Sequence, residues 1–181
     1  MNNCANGPSN ILNKIETTDI YEDPITVALE PLIGLRLSKA SRIETMIMLS
    51  FGDLIPVEWE GATRIVGAYS LHIQCPWRIR TTERILVASG DMLEESRFNS
   101  ESNISTLSNN LCDQRFNELF SSFDVQNLFV DRIEIDYAGA FKLHFSDSLT
   151  LEVIPITSFD VEHWRLFKPG STYHFVYKEV D

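Results

Sequence analysis

The sequence predicts a β-rich α+β domain, built from mostly antiparallel sheet with one main amphipathic helix packed on it. Three observations predict this fold class. Apolar and polar residues alternate along several short segments, polar turns separate those segments, and a single segment has an apolar stripe with helical spacing. A chain of 181 residues also has the length of one domain with a sizeable core, so we expect one domain over residues 1–181.

Two stretches fall outside the predicted sheet and helix. Residues 1–10, MNNCANGPSN, are rich in Asn and contain a Gly-Pro pair, which predicts a loose tail. Residues 94–110, EESRFNSESNISTLSNN, form the most polar stretch of the chain. We expect this second stretch to be an exposed polar connection between two halves of the domain.

The first half contains several predicted strands. Asp23-Pro24 should begin an extended segment, because the residue before a proline is disfavoured in a helix. Residues 33–54 alternate and then turn, which favours strand, turn and strand over the alternative of a helix across residues 43–50. Further strands are expected at residues 57–59, 69–75 and 85–89, with Pro76 ending the second of these.

The predicted helix follows the polar connection. Its apolar residues recur at helical spacing and form one stripe, which should lie on a sheet: Cys112, Phe116, Leu119, Phe120 and Phe123. Asn110 is a suitable N-cap, and Asp113 is placed to favour the first turn. After the helix, alternation and polar turns predict an antiparallel meander over residues 129–135, 141–145 and 149–153, with a last strand near residues 173–177.

The charge balance bears on the class of partner. The chain has 26 acidic and 15 basic residues, which gives a formal net charge of −11. Such a surface repels phosphate backbones and anionic membranes, so neither nucleic acid nor a membrane is expected as a partner. A basic protein partner would be attracted, and its association would be accelerated. The plainer explanation is that acidity keeps many proteins soluble.

Several features predict a cytoplasmic protein. No apolar run approaches the ~20 residues that are needed to span a bilayer. Residues 1–10 have neither the basic region nor the apolar region of a secretory signal. Cys4, Cys75 and Cys112 are far apart and odd in number, so reduced thiols are expected rather than a disulfide framework.

Motifs for catalysis are incomplete. His72, Cys75 and Asp91 raise the hypothesis of a Cys–His nucleophile. On a flat strand, positions 72 and 75 face opposite ways, so only a bulge at Pro76 would bring them together, and a buried structural cysteine is the favoured interpretation. Neither a metal nor a cofactor is expected, because zinc-binding spacings and glycine-rich phosphate loops are missing from the sequence. Whether the chain is an enzyme stays open, with a non-catalytic protein favoured.

Two Trp-Arg pairs are the most suggestive features. Trp77-Arg78 and Trp164-Arg165 each place an indole beside a guanidinium at the edge of a strand, and these two residue types dominate binding hot spots. Alternatively, both tryptophans close the core and both arginines pair with nearby acids such as Asp91 and Glu162. The candidate binding residues are His72, Trp77, Arg78, Asp91, Trp164 and Arg165.

Three segments carry a resemblance to a known family. These are LHIQCPWRI at residues 71–79, ILVASGD at residues 85–91, and LEVIP followed by EHWRLF within residues 151–167. From about residue 33 onward, the chain resembles a family of small bacterial cytoplasmic proteins of unassigned function. The resemblance implies no catalytic residues. By analogy with small acidic bacterial proteins of this kind, it suggests an immunity protein.

Two functional interpretations follow. The first is a non-catalytic protein that binds a basic protein partner, such as an immunity-type inhibitor of a basic toxin. The second is a small-ligand-binding protein or enzyme with a pocket around His72, Trp77 and Arg78, in which Arg78 holds an anionic group and His72 acts as a base. Free strand edges could also pair between two chains and form a homodimer.

Overall fold

The computed structural model describes residues 23–59, 61–94, 110–122, 127–136 and 138–178. The predicted loose tail over residues 1–10 lies outside these ranges. Residues 95–109 of the predicted polar connection also lie outside them, whereas Asn110 at its end is buried.

Twelve strands and two α-helices form the described part of the chain. The helices are α1 (Pro24–Leu29) and α2 (Leu111–Ser122). The strands of the first half are β1 (Leu37–Ile43), β2 (Met46–Phe51), β3 (Ile55–Trp59), β4 (Ala62–Val66), β5 (Tyr69–Ile73), β6 (Trp77–Arg80) and β7 (Ile85–Ala88). Those of the second half are β8 (Val130–Ile135), β9 (Phe141–Phe145), β10 (Thr150–Val153), β11 (Glu162–Phe167) and β12 (His174–Lys178).

These strands form two five-stranded sheets and a separate hairpin. The first sheet has the order β1-β2-β5-β11-β12, the second has the order β7-β6-β10-β9-β8, and β3 pairs with β4. Every pairing between these strands is antiparallel. The predicted fold class, β-rich α+β with one main helix, is therefore confirmed.

The core lies between the inner faces of the two sheets. Phe51 of the first sheet stacks on Phe145 of the second with ring centroids 6.5 Å apart, and Phe141 of the second meets Trp164 of the first at 5.0 Å. The sheets are also joined by backbone hydrogen bonds just before β1, where the Gly34 amide donates to the Val130 carbonyl at 2.8 Å. In β2, β6 and β9, alternation therefore buries one face and leaves the other face outward.

Helix α2 contacts both sheets. Cys112, Phe116 and Leu119 of the predicted stripe are buried, and the ring of Phe116 packs edge-to-face on Trp77 of β6 at 5.9 Å. Arg42 of β1 donates from Nε to Asp113 Oδ1 at 2.9 Å. The predicted helix is confirmed over its described residues, and Phe123 lies outside them.

Two local predictions need correction. Asp23-Pro24 begins α1 and not an extended segment, because Asp23 is an extended N-cap whose carboxylate accepts from the Thr26 amide at 2.9 Å. Proline suits the first helical turn, where its missing N–H would have no partner. The sequence also predicts only the first strand of the β3–β4 hairpin, although β4 pairs along the whole of β3. The strand predicted over residues 69–75 is β5, which ends at Ile73 before Pro76, and the chain crosses from the first sheet to the second between β5 and β6.

Candidate functional site

The two candidate tryptophans belong to the core. Trp77 is 2% exposed and Trp164 is 0% exposed. The indole Nε1 of Trp164 donates to the Gly139 carbonyl at 2.9 Å, and its ring stacks on Phe175 and Tyr177 of β12. Neither indole is therefore placed to touch a partner, and the interpretation of the tryptophans as core residues fits their positions.

His72 and Arg165 are neighbours on the outer face of the first sheet. The register of β5 and β11 places them directly opposite each other. Arg165 donates from Nε to Glu162 at 3.1 Å and from Nη1 to His174 Nδ1 at 3.1 Å, while the His72 ring packs edge-on to Phe167 at 4.9 Å. Burial, together with the nearby Arg165 guanidinium, lowers the pKa of His72 and keeps its ring neutral at pH 7.

Arg78 and Asp91 lie elsewhere. Arg78 is on the outer face of the second sheet. Asp91 lies in the 3-10 turn Ser89–Leu93, and its carboxylate accepts from the Ala88 amide at 2.9 Å. His72 and Arg78 therefore point outward from two different sheets, with the buried Trp77 and the core between them. Within the described ranges, His72, Trp77 and Arg78 therefore do not line one pocket, and the enzyme or ligand-binding alternative stays a prediction.

The two thiols within the described ranges are not arranged for nucleophilic catalysis. Cys75 and Cys112 are buried, and burial raises the pKa of each thiol to about 12. Because the thiolate is the nucleophile, neither group is activated at neutral pH. Cys75 is thus the buried structural cysteine that the sequence favours. Among the described residues, no three His, Cys, Asp or Glu side chains are grouped to hold a metal ion.

A buried carboxylate organises the outer face of the second sheet. Glu152, on the central strand β10, is 5% exposed although its side chain points away from the core. Its Oε1 accepts from Arg80 Nε at 2.6 Å, and its Oε2 accepts from Arg78 Nε. Burial opposes ionisation of Glu152, but the hydrogen bonds from Arg80 and Arg78 outweigh it and lower the pKa of the carboxyl group.

Ion pairs continue across the same face. Lys142 Nζ donates to Glu134 at 2.9 Å, and Arg132 donates to the same carboxylate. These two hydrogen bonds lower the pKa of Glu134 to about 2. We call the outer face of the second sheet the charged face, which comprises Arg78, Arg80, Arg132, Glu134, Lys142, His144, Thr150 and Glu152.

The charged face departs from the charge of the whole chain. It carries four arginine or lysine side chains and two glutamates, a balance of +2 on a chain whose net charge is −11. Burial, together with the nearby Arg132, lowers the pKa of His144, so this histidine adds no charge at neutral pH. The face is therefore locally basic.

An exposed apolar segment adjoins the charged face. We call residues 154–161, which connect β10 to β11, the apolar connection. Four of its eight residues are large, apolar and exposed: Ile154 at 38%, Ile156 at 68%, Phe159 at 70% and Val161 at 46%. Ile154 also lines an open depression of ≈ 270 Å³ that Glu134, Lys142 and Glu152 line from the charged face. The apolar and charged surfaces are thus continuous.

Sequence reasoning identifies Arg78 but not Arg80, Glu152 or the apolar connection. Alternation correctly places Glu152 outward, yet its burial depends on two arginines that reach it from another strand. The apolar connection carries a signal in the sequence, because IPITSFDV keeps its apolar residues outside any alternating strand. Exposure of that segment becomes visible only when its neighbours in space are known.

No protein-family model, curated protein or solved structure matches the chain. The resemblance to small bacterial proteins therefore stays a prediction. No helix within the described ranges has both the length and the apolar character needed to cross a membrane.

Proposed function

We propose that this chain is a non-catalytic protein that binds a basic protein partner, with the apolar connection as its anchor. The exposure of Ile156 and Phe159 carries the proposal. Each side chain presents a large apolar surface to water, and docking of a partner would bury that surface. Phe and other aromatic residues are enriched where protein interfaces are most buried.

The position of the apolar connection supports this role. Its ends are fixed by β10 in the second sheet and β11 in the first. The Ile154 amide donates to the Pro76 carbonyl at 2.8 Å, and Asp160 pairs with Lys178 of β12 at 2.8 Å. A segment held at several points loses little conformational freedom on binding, which favours affinity.

Charge supports the choice of a basic partner. The net charge of −11 attracts a positively charged protein over long range and raises its association rate. The charged face beside the apolar connection is locally basic, so as a polar rim it would meet acidic side chains of that partner, and such ion pairs set orientation more than affinity. Within this proposal, the protein acts in the cytoplasm, and a basic toxin that it holds inactive is the finer form of the partner.

Matched aspartate substitutions test the proposal. The variants Ile156→Asp and Phe159→Asp place a charge in the anchor, while Ile65→Asp places the same charge on an exposed residue of the β3–β4 hairpin. Each tagged protein, shown to be folded by circular dichroism, is used to capture partners from extracts of the native host at low and at physiological salt.

We expect the wild type and Ile65→Asp to retain the same basic protein, and both anchor variants to retain roughly 10-fold less of it, the loss expected for a hot-spot residue. Equal capture by the anchor variants would contradict the proposal. So would an acidic partner, or no partner at any salt concentration.

A further inference from the structure

The carboxylate of Glu152 holds two guanidinium groups side by side. In the register of β6 and β10, Arg78 lies opposite Glu152 and Arg80 lies opposite Thr150. Both arginines are on the same face, two residues apart, and each gives its Nε–H to a different oxygen of Glu152. These two bonds fix the guanidinium planes, and they leave the N–H groups on the Nη atoms of both arginines for other acceptors.

Those remaining donors are available to a ligand. Arg80 uses Nη1 to donate to the Thr81 carbonyl at 3.0 Å. Within the described ranges, Arg80 Nη2 and both Nη groups of Arg78 have no acceptor in the protein. The Arg78 side chain is 41% exposed and the Arg80 side chain is 28% exposed, so solvent reaches both.

The charge of Glu152 neutralises only one of the two arginines. One carboxylate faces two guanidiniums, and arginine does not lose its proton at any accessible pH. One positive charge is left over in a half-buried setting, where it interacts more strongly than in bulk water. Two oxygens of a carboxylate or of a phosphate group can accept two parallel N–H groups from a guanidinium fork.

We propose that Arg78 and Arg80 form an oxyanion-binding site on the charged face, oriented by Glu152 and open to a carboxylate or a phosphate group. Thr150, opposite Arg80 in the register, is buried and its hydroxyl lies 3.3 Å from His144 Nδ1, so the two arginines alone supply the donors of the site. The site does not depend on docking at the apolar connection. The predicted pocket placed Arg78 beside His72, whereas this site places Arg78 beside Arg80.

Arginine side-chain NMR on the whole chain tests the site directly. The Nε–Hε and Cζ signals of isotope-labelled protein are followed while sodium phosphate, sodium acetate or sodium chloride is added at equal ionic strength. We expect saturable shifts of Arg78 and Arg80 with at least one oxyanion and none with chloride. Arg64, on the exposed hairpin strand β4, provides the internal control.

The responding anion identifies the class of ligand. Saturation by phosphate alone assigns a phosphorylated ligand, saturation by acetate alone assigns a carboxylate such as an acidic peptide, and saturation by both assigns the shared oxyanion chemistry. Shifts that do not saturate, or equal shifts at Arg64, would overturn the proposal. Because this titration uses the wild-type chain, its result does not depend on any variant folding.

Two substitutions then separate geometry from charge. Arg78→Lys keeps the positive charge but lacks the fork, and we expect its affinity for the responding anion to fall roughly 10-fold or more. Arg64→Gln should bind as the wild type does. Unchanged affinity in Arg78→Lys would overturn the assignment of Arg78. Loss of partner capture by Ile156→Asp leaves the anion titration unaffected, so the two proposals fail separately.

Discussion

At the scale of single residues, the two buried tryptophans differ in what their indole N–H groups meet. Trp164 Nε1 donates to the Gly139 carbonyl at 2.9 Å. Trp77 Nε1 is buried and has no hydrogen-bond partner among the described residues. A buried N–H donor without a partner lowers stability. Removing a buried donor that has a partner leaves its acceptor without a hydrogen bond.

This difference predicts unequal effects of the same substitution. Trp164→Phe should lower the free energy of unfolding by about 2–4 kcal/mol, because it loses buried volume and leaves the Gly139 carbonyl unpaired. Trp77→Phe should cost only about 1 kcal/mol, because the volume lost is offset by removal of the unpaired N–H. Urea unfolding measures both, and equal losses would contradict the assigned hydrogen bond.

Glu152 predicts a pH dependence of stability. Its folded-state pKa is lowered, as is that of Glu134, so the unfolded chain takes up protons first as the pH falls. The stability that these ion pairs contribute is complete above about pH 5 and is lost progressively as the pH falls toward the folded-state values. Urea midpoints measured between neutral and acid pH should show this decline.

Glu152→Gln should remove part of that dependence. At neutral pH we expect a loss of roughly 1–3 kcal/mol, less than for a fully buried ion pair because Arg78 is 41% exposed. The decline on acidification should then be shallower than in the wild type. Glu83→Gln, on an exposed loop, serves as the control and should change the midpoint little. A Glu152→Gln curve parallel to that of the wild type would refute the role of this carboxylate.

Residue types alone do not decide whether the Trp and Arg candidates belong to the core or to a binding surface, and the reason is physical. Trp and Arg both have an apolar body and a polar end, so they suit a core and an interface equally. The pairing of His72 with Arg165 and of Arg78 with Glu152 depends on strand register, which turns and bulges set over long sequence distances. The sequence therefore supplies the side chains of the site but not their neighbours.

At the scale of elements, Asn110 couples the start of α2 to the rest of the chain. Its Oδ1 accepts from the Asp113 amide at 3.1 Å, which satisfies a free N–H of the first helical turn. Its Nδ2 donates to the Met92 carbonyl at 3.1 Å, and the residue is 3% exposed. The predicted N-cap is confirmed, and its second bond ties the helix to the 3-10 turn.

Two substitutions separate these bonds. Asn110→Asp keeps the cap acceptor but loses the donor to Met92, so we expect a loss of about 1 kcal/mol. Asn110→Ala loses both bonds and should cost about 2 kcal/mol or more. Circular dichroism during urea unfolding provides the measurement. If the two variants are equally stable, the cap bond to the Asp113 amide contributes nothing, and if Asn110→Asp is as stable as the wild type, the bond to Met92 contributes nothing.

Most elements follow from periodicity, and the exceptions have local causes. Strands β2 and β9 alternate clearly because each buries one face. The hairpin strand β4 is exposed along its length, so no burial pattern marks it in the sequence. The sequence does not predict helix α1, because an Asp-Pro pair is compatible both with an extended segment and with the start of a helix. Only the hydrogen bond of the Asp23 cap distinguishes the two structures.

At the scale of the whole molecule, charge and surface act over different ranges. The net charge of −11 acts at a distance on any approaching protein, whereas the basic balance of the charged face is felt only near its surface. Strands β7 and β12 stand at sheet edges, where pairing with a second copy stays a prediction for light scattering.

The two buried thiols provide a test of whether the chain unfolds as one domain. Cys75 follows β5 beside the crossing between sheets, and Cys112 lies in α2. Burial raises both thiol pKa values to about 12, so alkylation requires the chain to open first.

A Cys4→Ser variant leaves only these two thiols. We expect both to be alkylated with the same dependence on urea, and that dependence should match global unfolding followed by tryptophan fluorescence. Mass spectrometry of the digested protein resolves the two sites, and fully unfolded protein gives their intrinsic rates. Earlier labelling of Cys112 would mean that α2 and its neighbours open separately from the sheets, contrary to the prediction of one cooperative domain over residues 1–181.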